Sequence, residues 1–174
     1  MTDPEIEPLG GRTVWEGETF EARVERFRHP DGEIVEREIV RRVAAAGIVA
    51  YDDAHVWLVR QPREAILQHT LELPAGTLDE GESPLECARR ELAEEIGREA
   101  GHWEQIETYH PSSGYTDEAV YLFVATGLRE SDVEPIAGER IEVVPWPLAD
   151  IDAAIAATND AKTLIGLQWL RSAL

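Results

Sequence analysis

The chain has 174 residues, of which 43% are hydrophobic, and this is enough for one folded domain with a sizeable core. It contains no apolar run of about 18 residues or more and no basic segment leading into an apolar one, so neither a membrane span nor a secretory signal is expected. The formal net charge of -19 at pH 7 gives a surface that repels nucleic acid and anionic lipid, so neither is an expected partner.

The N-terminal part of the chain is predicted to be a tail followed by two strands. Residues 1–12 are polar, with two prolines and two glycines, and are expected to form a flexible tail. Residues 13–28 and 33–42 have the composition of strands, and His29-Pro30-Asp31-Gly32 between them is a strong turn signal. We therefore expect two strands joined by this turn.

The rest of the chain mixes strand and helix patterns. An apolar run at residues 43–50 is typical of a buried strand, and a strand at 55–59 follows the turn at Asp52-Asp53. The mixture predicts a sheet flanked by helices. Further strands are expected at residues 103–109, 118–125 and 140–144, and helices at residues 147–157 and 160–173.

One helix is marked clearly at both ends. Ser83 can serve as its N-cap, with Pro84 at the first helical position and Glu86 three residues after the cap, and Gly97 is a stop signal. Apolar side chains recur at intervals of three and four, so they share one face of this helix: Leu85, Ala88, Leu92 and Ile96.

A neighbouring face of the same helix carries Glu91 and Glu95, four residues apart, with Glu94 beside them. Carboxylates at this spacing repel one another and weaken a bare helix by roughly a few tenths of a kcal/mol. Arg90 can neutralise one of them, and divalent cations that prefer oxygen ligands, above all magnesium, would neutralise the rest. The alternative is a solvated acidic helix face in an acidic protein.

These residues belong to a longer pattern that resembles the signature of the Nudix hydrolases. The pattern consists of Gly76, Glu82 and the run from Arg90 to Gly97 at fixed spacing, which is hard to obtain by chance. This family cleaves nucleoside diphosphates linked to another moiety with the help of a divalent metal. The resemblance implies an α/β fold, the Nudix-type α/β/α sandwich with a mixed sheet, for residues 43–174.

Other segments are similar to the ADP-ribose pyrophosphatase branch of this family. That branch has an antiparallel N-terminal strand extension, which here would be residues 13–42. It forms homodimers in which the extension helps to build the partner's adenosine pocket. The resemblance implies a homodimer that acts on ADP-ribose or a related nucleoside diphosphate sugar. The segments that carry it are residues 61–63, 72–76, 111–118 and 160–163.

Two departures from the pattern leave questions open. The branch's Ser-Pro-Gly-like element reads Ser112-Ser113-Gly114 here, with the proline at position 111, so another ADP-sugar, a GDP-sugar or an oxidised nucleotide is an alternative substrate. Arg98 stands where the signature normally ends in an apolar residue, and Ala100 is expected to take over that packing. A nucleotide-sugar-sensing module that binds without cleaving is a further alternative, although such regulators commonly lose the signature glutamates that this chain keeps.

By resemblance, the metal ligands are all oxygen donors, namely Glu91, Glu95 and the backbone carbonyl of Ala75. Glu94 would assist them, Glu82 would be an outer member of the group, and Arg90 would orient the carboxylates. Magnesium is the expected cofactor, with manganese as the alternative.

The same resemblance implies that water attacks one phosphorus of the pyrophosphate bridge. Two or three metals would activate the water and neutralise the charge that develops on the bridging oxygens. In this branch a carboxylate outside the helix often serves as the base. Glu139 occupies the matching region, with Glu134 and Glu142 as close alternatives. The products from ADP-ribose would be AMP and ribose 5-phosphate.

Four further side chains are candidates for contact with the substrate. Arg63 would face the phosphates, where a planar two-pronged cation suits phosphate oxygens; the alternative is a surface arginine. Glu118 would lie near the metal or the terminal ribose, or else be a solvated residue at a strand edge. Trp15 and Trp57 could stack on adenine, although a large aromatic side chain is more often part of a core.

The charge and the single cysteine bear on where the protein works. Lys162 is the only lysine in the chain. An acidic excess with so little lysine resembles proteins of extreme halophiles, because molar salt screens self-repulsion to within about 3 Å; the alternative is an ordinary acidic cytosolic enzyme. Cys87 is the only cysteine, which rules out an intrachain disulfide and favours a reducing cytoplasm.

Overall fold

The computed structural model describes residues 5–133 and 140–174, and the chain divides into two compact units. The first unit is Met1–Val43 with His110–Ala119, and the second is Ala44–Tyr109 with Val120–Leu174. Within the described ranges no helix is long and apolar enough to cross a membrane.

The first unit contains a three-stranded antiparallel sheet in the order β1-β2-β3. Its strands are β1 (Glu7–Glu16), β2 (Glu21–Arg28) and β3 (Ile34–Arg41). The segment from His110 follows the outer edge of β3, where the Val40 amide donates a hydrogen bond to the Tyr115 carbonyl at 2.7 Å. This sheet agrees with an antiparallel extension at the N-terminus.

The first strand differs from the prediction at both of its ends. The segment 13–28 is two strands with a turn at residues 17–20, and β1 begins at Glu7, inside the predicted tail. Gly10 and Gly11, which indicated a loop, lie instead at an irregularity in the β1–β2 register. Gly10 has φ of +82°, and a Cβ at Gly11 would lie 2.3 Å from the Val24 carbonyl oxygen, so the bulge uses both glycines.

The second unit contains a mixed sheet of seven strands. Its main path runs β10-β5-β4-β9-β8, with β6 paired to β5 and β7 paired to β4. The β4–β9 pair is parallel and the other pairs are antiparallel. The strands are β4 (Ala45–Tyr51), β5 (His55–Arg63), β6 (Gln68–Glu72), β7 (Ala75–Thr77), β8 (Arg98–Tyr109), β9 (Val120–Glu130) and β10 (Glu142–Pro147).

Helices cover both faces of this sheet. The helices are α1 (Pro84–Ile96), α2 (Ile151–Ala157) and α3 (Ala161–Ala173), with short 3-10 turns at Glu64–Ile66 and Leu148–Asp150. Successive residues of β4 point to opposite faces. Ile48 packs with Leu92 of α1, whereas Val49 packs with Leu167 of α3. The α/β/α sandwich predicted from the sequence is therefore confirmed.

Candidate active site

Helix α1 is fixed at both ends, and this sets the direction of its carboxylates. Glu86 accepts a hydrogen bond from the Ser83 amide at 2.9 Å, and Ser83 Oγ accepts one from the Glu86 amide at 3.4 Å, which completes the predicted capping box. Gly97 ends the helix with φ of +65°. The buried face packs on the sheet, so the neighbouring face is turned toward β7.

Two of the predicted metal ligands meet the backbone of β7. Glu95 is 8% exposed, and its Oε2 accepts a hydrogen bond from the Ala75 amide at 3.0 Å. Glu91 lies against the next residue, since a Cβ at Gly76 would be 1.8 Å from Glu91 Oε1. The glycine of the signature is thus needed for the close approach of the carboxylate to the strand.

Arg90 forms the centre of an ion-pair network on the same face. Its Nε is 2.9 Å from Glu82 Oε1, and its Nη1 is 2.6 Å from Glu91 Oε1 and 3.1 Å from Glu94 Oε2. Its Nη2 also donates to the Thr77 carbonyl at 3.1 Å. The hydrogen bond from Arg90 lowers the pKa of Glu82, and the same bond raises the pKa of Arg90. The arginine therefore links three carboxylates to the β7 backbone.

Of the helix carboxylates, Glu91 and Glu95 open onto a cavity of about 490 Å³. Glu91 and Glu95 line one part of it with residues 75–77, and Arg63 and Arg140 line another. Neither Arg140 nor Glu64, which also borders the cavity, was among the predicted site residues. The sequence signal for Glu64 is its position beside Arg63, and Arg140 directly follows the segment predicted to hold the base.

The donor set on the acidic side of the cavity fits a hard divalent cation. Glu91 and Glu95 supply carboxylate oxygens, and the Ala75 backbone that contacts Glu95 supplies a carbonyl oxygen. In the described part of the chain, no three His, Cys, Asp or Glu side chains already converge as a metal site. A cation held by the two carboxylates and the carbonyl, as the sequence predicts, would compete with Arg90 for Glu91.

Arg63 is held in the cavity wall by a buried carboxylate. Its Nε and Nη2 each lie 2.7 Å from an oxygen of Glu72, a two-pronged pair, and Glu72 is 1% exposed. Burial by itself would raise the pKa of Glu72. Hydrogen bonds from Arg63, Lys162 and Thr70, together with the charge of Lys162, outweigh burial and lower this pKa to about 2. Sequence reasoning missed both Glu72, the partner of Arg63, and Lys162, which pairs with Glu72.

Other predicted substrate contacts are engaged elsewhere within their units. Trp57 does not border this cavity; its Nε1 donates to Asp52 Oδ2 at 2.9 Å. Trp15 packs on Phe20 with ring centroids 4.7 Å apart, and Glu118 lies 3.5 Å from Arg42 Nε, all within the first unit. The roles proposed for these three residues in substrate binding stay predictions.

Of the predicted base and its two alternatives, only Glu142 lies in the described part of the chain. Glu139 and Glu134 lie outside the described residues. Glu142 begins β10, where its Oε2 is 3.3 Å from Arg60 Nη1 across the β10–β5 pair. Their catalytic roles stay predictions.

The departure at Arg98 has a structural explanation. The Arg98 guanidinium lies over the Trp57 ring, 4.4 Å from its centroid, so a cation–π contact takes the place of apolar packing. Ala100 packs against the cluster beneath α1, as expected.

Comparison with known proteins identifies the family to which this fold belongs. Residues 41–166 match the NUDIX domain, which is more than half of the chain. The ADP-ribose pyrophosphatase of Bacillus subtilis is 31% identical over 98% of this chain and 95% of its own length. The ADP-ribose pyrophosphatase of Mycobacterium tuberculosis is 39% identical over 75% of this chain, which spans 64% of that relative, just under two thirds.

A solved structure extends the agreement to three dimensions. The crystal structure of an ADP compounds hydrolase superposes with a TM-score of 0.85 at 25% identity, and covers 99% of this chain and 95% of that one. Nudix hydrolases in general need divalent metal ions, which suits the oxygen donors of the cavity. With the domain match, the relatives and the shared fold in agreement, the chain belongs to the Nudix family and is a Nudix hydrolase.

Proposed function

We propose that this enzyme hydrolyses the pyrophosphate bond of ADP-ribose, or of a related nucleoside diphosphate sugar, and releases AMP and ribose 5-phosphate from ADP-ribose. The observation that carries the proposal is the cavity in which Glu91 and Glu95 share the walls with Arg63 and Arg140. One part is acidic and suits a divalent cation, and another is basic and suits phosphate oxygens. The names of the relatives support ADP-ribose as the first substrate to test.

Magnesium is the proposed cofactor, held by Glu91, Glu95 and the Ala75 carbonyl. When bound, a divalent cation of this kind polarises phosphoryl oxygens and makes water a better nucleophile. Arg90 keeps Glu91 and Glu94 in place through its ion pairs, with Glu82 on its other edge.

Arg63 is the proposed phosphate-binding residue. Its Nε and Nη2 are committed to Glu72, and within the described residues no hydrogen bond is made by its Nη1. This edge is therefore the part of the guanidinium that can donate to a phosphate oxygen. Glu139 is the proposed base that accepts a proton from the attacking water, with Glu134 and Glu142 as alternatives.

The active form is proposed to be a cytoplasmic homodimer organised by residues 13–42. Apolar side chains on this sheet support the proposal, because Val14 is 50% exposed and Ile34 is 52% exposed. Each extension would cover the nucleotide pocket of the other subunit, where Trp15 and Glu118 are the proposed contacts, and Trp57 is a further candidate for adenine stacking. Adaptation to high salt is proposed from the net charge of -19.

A hydrolysis panel tests the substrate. ADP-ribose, GDP-mannose and an oxidised nucleoside triphosphate would each be incubated with magnesium or manganese, and the products separated by ion-exchange chromatography. We expect the highest kcat/KM with ADP-ribose and equal amounts of AMP and ribose 5-phosphate. Preference for GDP-mannose would select another sugar, and tight binding of ADP-ribose without cleavage would select the sensing module.

A further inference from the structure

The only lysine of the chain is placed beside the proposed phosphate-binding arginine. The Lys162 side chain is 13% exposed, and its Nζ forms ion pairs with Glu72 and, at 3.1 Å, with Asp160 Oδ2. Apart from histidines, the remaining basic residues are all arginines, so Lys162 carries the only side-chain ammonium group of the chain. Its place at the first turn of α3 is unfavourable for a cation, because the helix dipole is positive there. Another interaction must hold it there.

That interaction is a network of four charged groups, linked in the order Arg63, Glu72, Lys162 and Asp160. Glu72 receives both prongs of Arg63 and also bonds to Lys162 and Thr70. Asp160 caps α3 by accepting a hydrogen bond from the Thr163 amide at 2.9 Å. Two cations thus share two carboxylates, and the network as a whole is neutral.

The network also touches the segment that carries the proposed metal-binding carbonyl. Thr163 Oγ1 accepts a hydrogen bond from the Leu73 amide at 2.8 Å, two residues before Ala75. The Lys162 stem and Ala75 both lie close to Gly47 of β4, since a Cβ at Gly47 would be 3.8 Å from Lys162 Cδ and 3.9 Å from Ala75 Cβ. The start of α3 therefore supports the basic wall and the carbonyl segment together.

The charge balance decides what Arg63 can do. A two-pronged pair of Arg63 with Glu72 alone would be neutral, and its field on a pyrophosphate would be weak. If Arg63 turned toward a phosphate, the buried Glu72 would also lose its main partner, and an uncompensated buried carboxylate is costly. Lys162 gives Glu72 a second cation that stays in place when Arg63 turns, so Glu72 is not left uncompensated, and the carboxylate that offsets Lys162 is Asp160, which pairs with Lys162 itself.

We propose that Lys162 is a positioning residue: by neutralising Glu72, it leaves the positive charge of Arg63 available to the pyrophosphate of the substrate. Lys162 itself does not touch the reacting atoms in this arrangement. The inference rests on the proposed function, because it assumes a phosphate-bearing substrate in the cavity that Arg63 lines.

Substrate binding without turnover gives the direct test. The probe is the α,β-methylene analogue of ADP-ribose, titrated calorimetrically without metal, alongside KM and kcat for ADP-ribose with magnesium. For Lys162→Met we expect the analogue's Kd and the KM each to rise about tenfold, the size of one lost partly screened charge interaction, with kcat changed by less than about twofold. Lys162→Arg should restore most of the binding, because it returns the charge.

Two matched variants separate charge from structure. Arg171→Met removes a positive charge from the same helix, but Arg171 pairs with Asp152 on the surface, so binding should not change. Asp160→Asn keeps an N-capping side chain and removes the second carboxylate that pairs with Lys162, so it should tighten binding of the analogue. A residue with a purely structural role would not produce this opposite sign.

Thermal unfolding checks that Lys162→Met folds. The double variant Glu72→Gln/Lys162→Met, compared with Glu72→Gln alone, provides a second test of the role of Lys162. With Glu72 neutral there is no buried charge to balance, so adding Lys162→Met to Glu72→Gln should not weaken binding further. Equal Kd values for wild type and Lys162→Met, or weaker binding by Asp160→Asn, would overturn the role of Lys162. A wild-type protein that neither binds the analogue nor cleaves ADP-ribose would instead overturn the proposed function.

Discussion

Glu95 is the carboxylate that the fold holds most firmly in the active-site cavity, through burial and the Ala75 amide. We predict that Glu95→Gln keeps the fold, because the amide oxygen can still accept that hydrogen bond. Turnover should fall by about a thousandfold or more, since about 1.36 kcal/mol of lost metal-based stabilisation costs a factor of ten. The measurement is kcat for ADP-ribose at saturating magnesium, with circular dichroism to check the fold.

Glu99→Gln is the matched control for that substitution. Glu99 pairs with Arg129 at 2.6 Å on the surface, outside the carboxylate cavity, so its loss should leave kcat unchanged. An unchanged kcat for Glu95→Gln itself would remove Glu95 from the metal ligands.

Glu72 should make stability depend on pH in the acid range. Its pKa is about 2 in the folded protein against 4.5 as the ordinary value. Because the folded pKa is depressed, its stabilisation is fully present above pH 4.5 and is lost as the pH falls toward 2; about 3 kcal/mol is the order of magnitude. We predict that Glu72→Gln is less stable than wild type in urea at pH 6, and that this difference shrinks steadily below pH 4.5. A difference that stays constant down to pH 3 would contradict the ionised, paired state of Glu72.

The site residues fall into two groups according to how far they can be predicted. Arg90, Glu91, Glu94 and Glu95 are on one helix, where spacing alone fixes which side chains are neighbours. The ion pairs of Glu72 depend on tertiary structure, because Arg63 lies on the neighbouring strand and Lys162 is 90 residues beyond Glu72. No local pattern announces such a pairing, and periodicity therefore missed it.

At the scale of elements, the contact of α1 with β7 leaves no room for a side chain at Gly76. A Cβ there would lie 1.8 Å from Glu91 Oε1 and 2.1 Å from Glu91 Cδ, so the carboxylate would have to swing away. We predict that Gly76→Ala lowers kcat at least about a hundredfold, the loss expected when a ligand leaves its geometry, while the melting temperature changes little. Kinetics and differential scanning calorimetry on one preparation give both quantities.

Gly101→Ala is the control, because a Cβ at Gly101 would make only an ordinary contact of 3.6 Å with the Gly127 carbonyl. An active Gly76→Ala enzyme would show that Glu91 is not needed where it now lies.

The three-stranded N-terminal sheet exposes apolar side chains, among them Val14 and Ile34, that a partner surface would bury. We predict that deleting residues 1–42 abolishes the homodimer and raises KM for ADP-ribose together, because each extension would cover the other subunit's pocket. Val14→Asp should weaken the dimer in the same way without removing backbone. Light scattering that finds a fully active monomer at high protein concentration would contradict the prediction.

Strong local signals made some elements predictable and weak ones hid others. Helix α1 has a capping box at one end and a left-handed glycine at the other, and its bounds follow from the sequence. Strands β6 and β7 have five and three residues, too few for a periodic pattern, and they exist because β5 and β4 offer free edges. Strand β1 was partly missed because Gly10 and Gly11 mark a bulge as readily as a loop.

Across the whole molecule, a net charge of -19 is combined with a conventionally packed α/β/α core. Packing of the core stabilises the folded state, and repulsion among the acidic side chains destabilises it. Repulsion among exposed carboxylates opposes the compact state and is screened to within about 3 Å at molar salt. The active-site network adds little to this repulsion, because its two carboxylates are matched by Arg63 and Lys162. Apart from the carboxylates around Arg90, the cost of the charge therefore lies on the outer surface, where salt can act on it.

We predict that the melting temperature rises by about 10 °C between dilute buffer and molar potassium chloride, which corresponds to roughly 3 kcal/mol for a chain of this size. Replacing the exposed Glu104, Glu107 and Glu130 by glutamine should raise the melting temperature in dilute buffer and flatten its salt dependence, because fewer charges remain to be screened. Sucrose, which stabilises by exclusion and not by screening, should raise the melting temperature of wild type and triple variant equally. Differential scanning calorimetry over a salt series measures these slopes. A flat response of the wild type, or equal slopes for the two proteins, would leave the acidity unexplained by adaptation to salt.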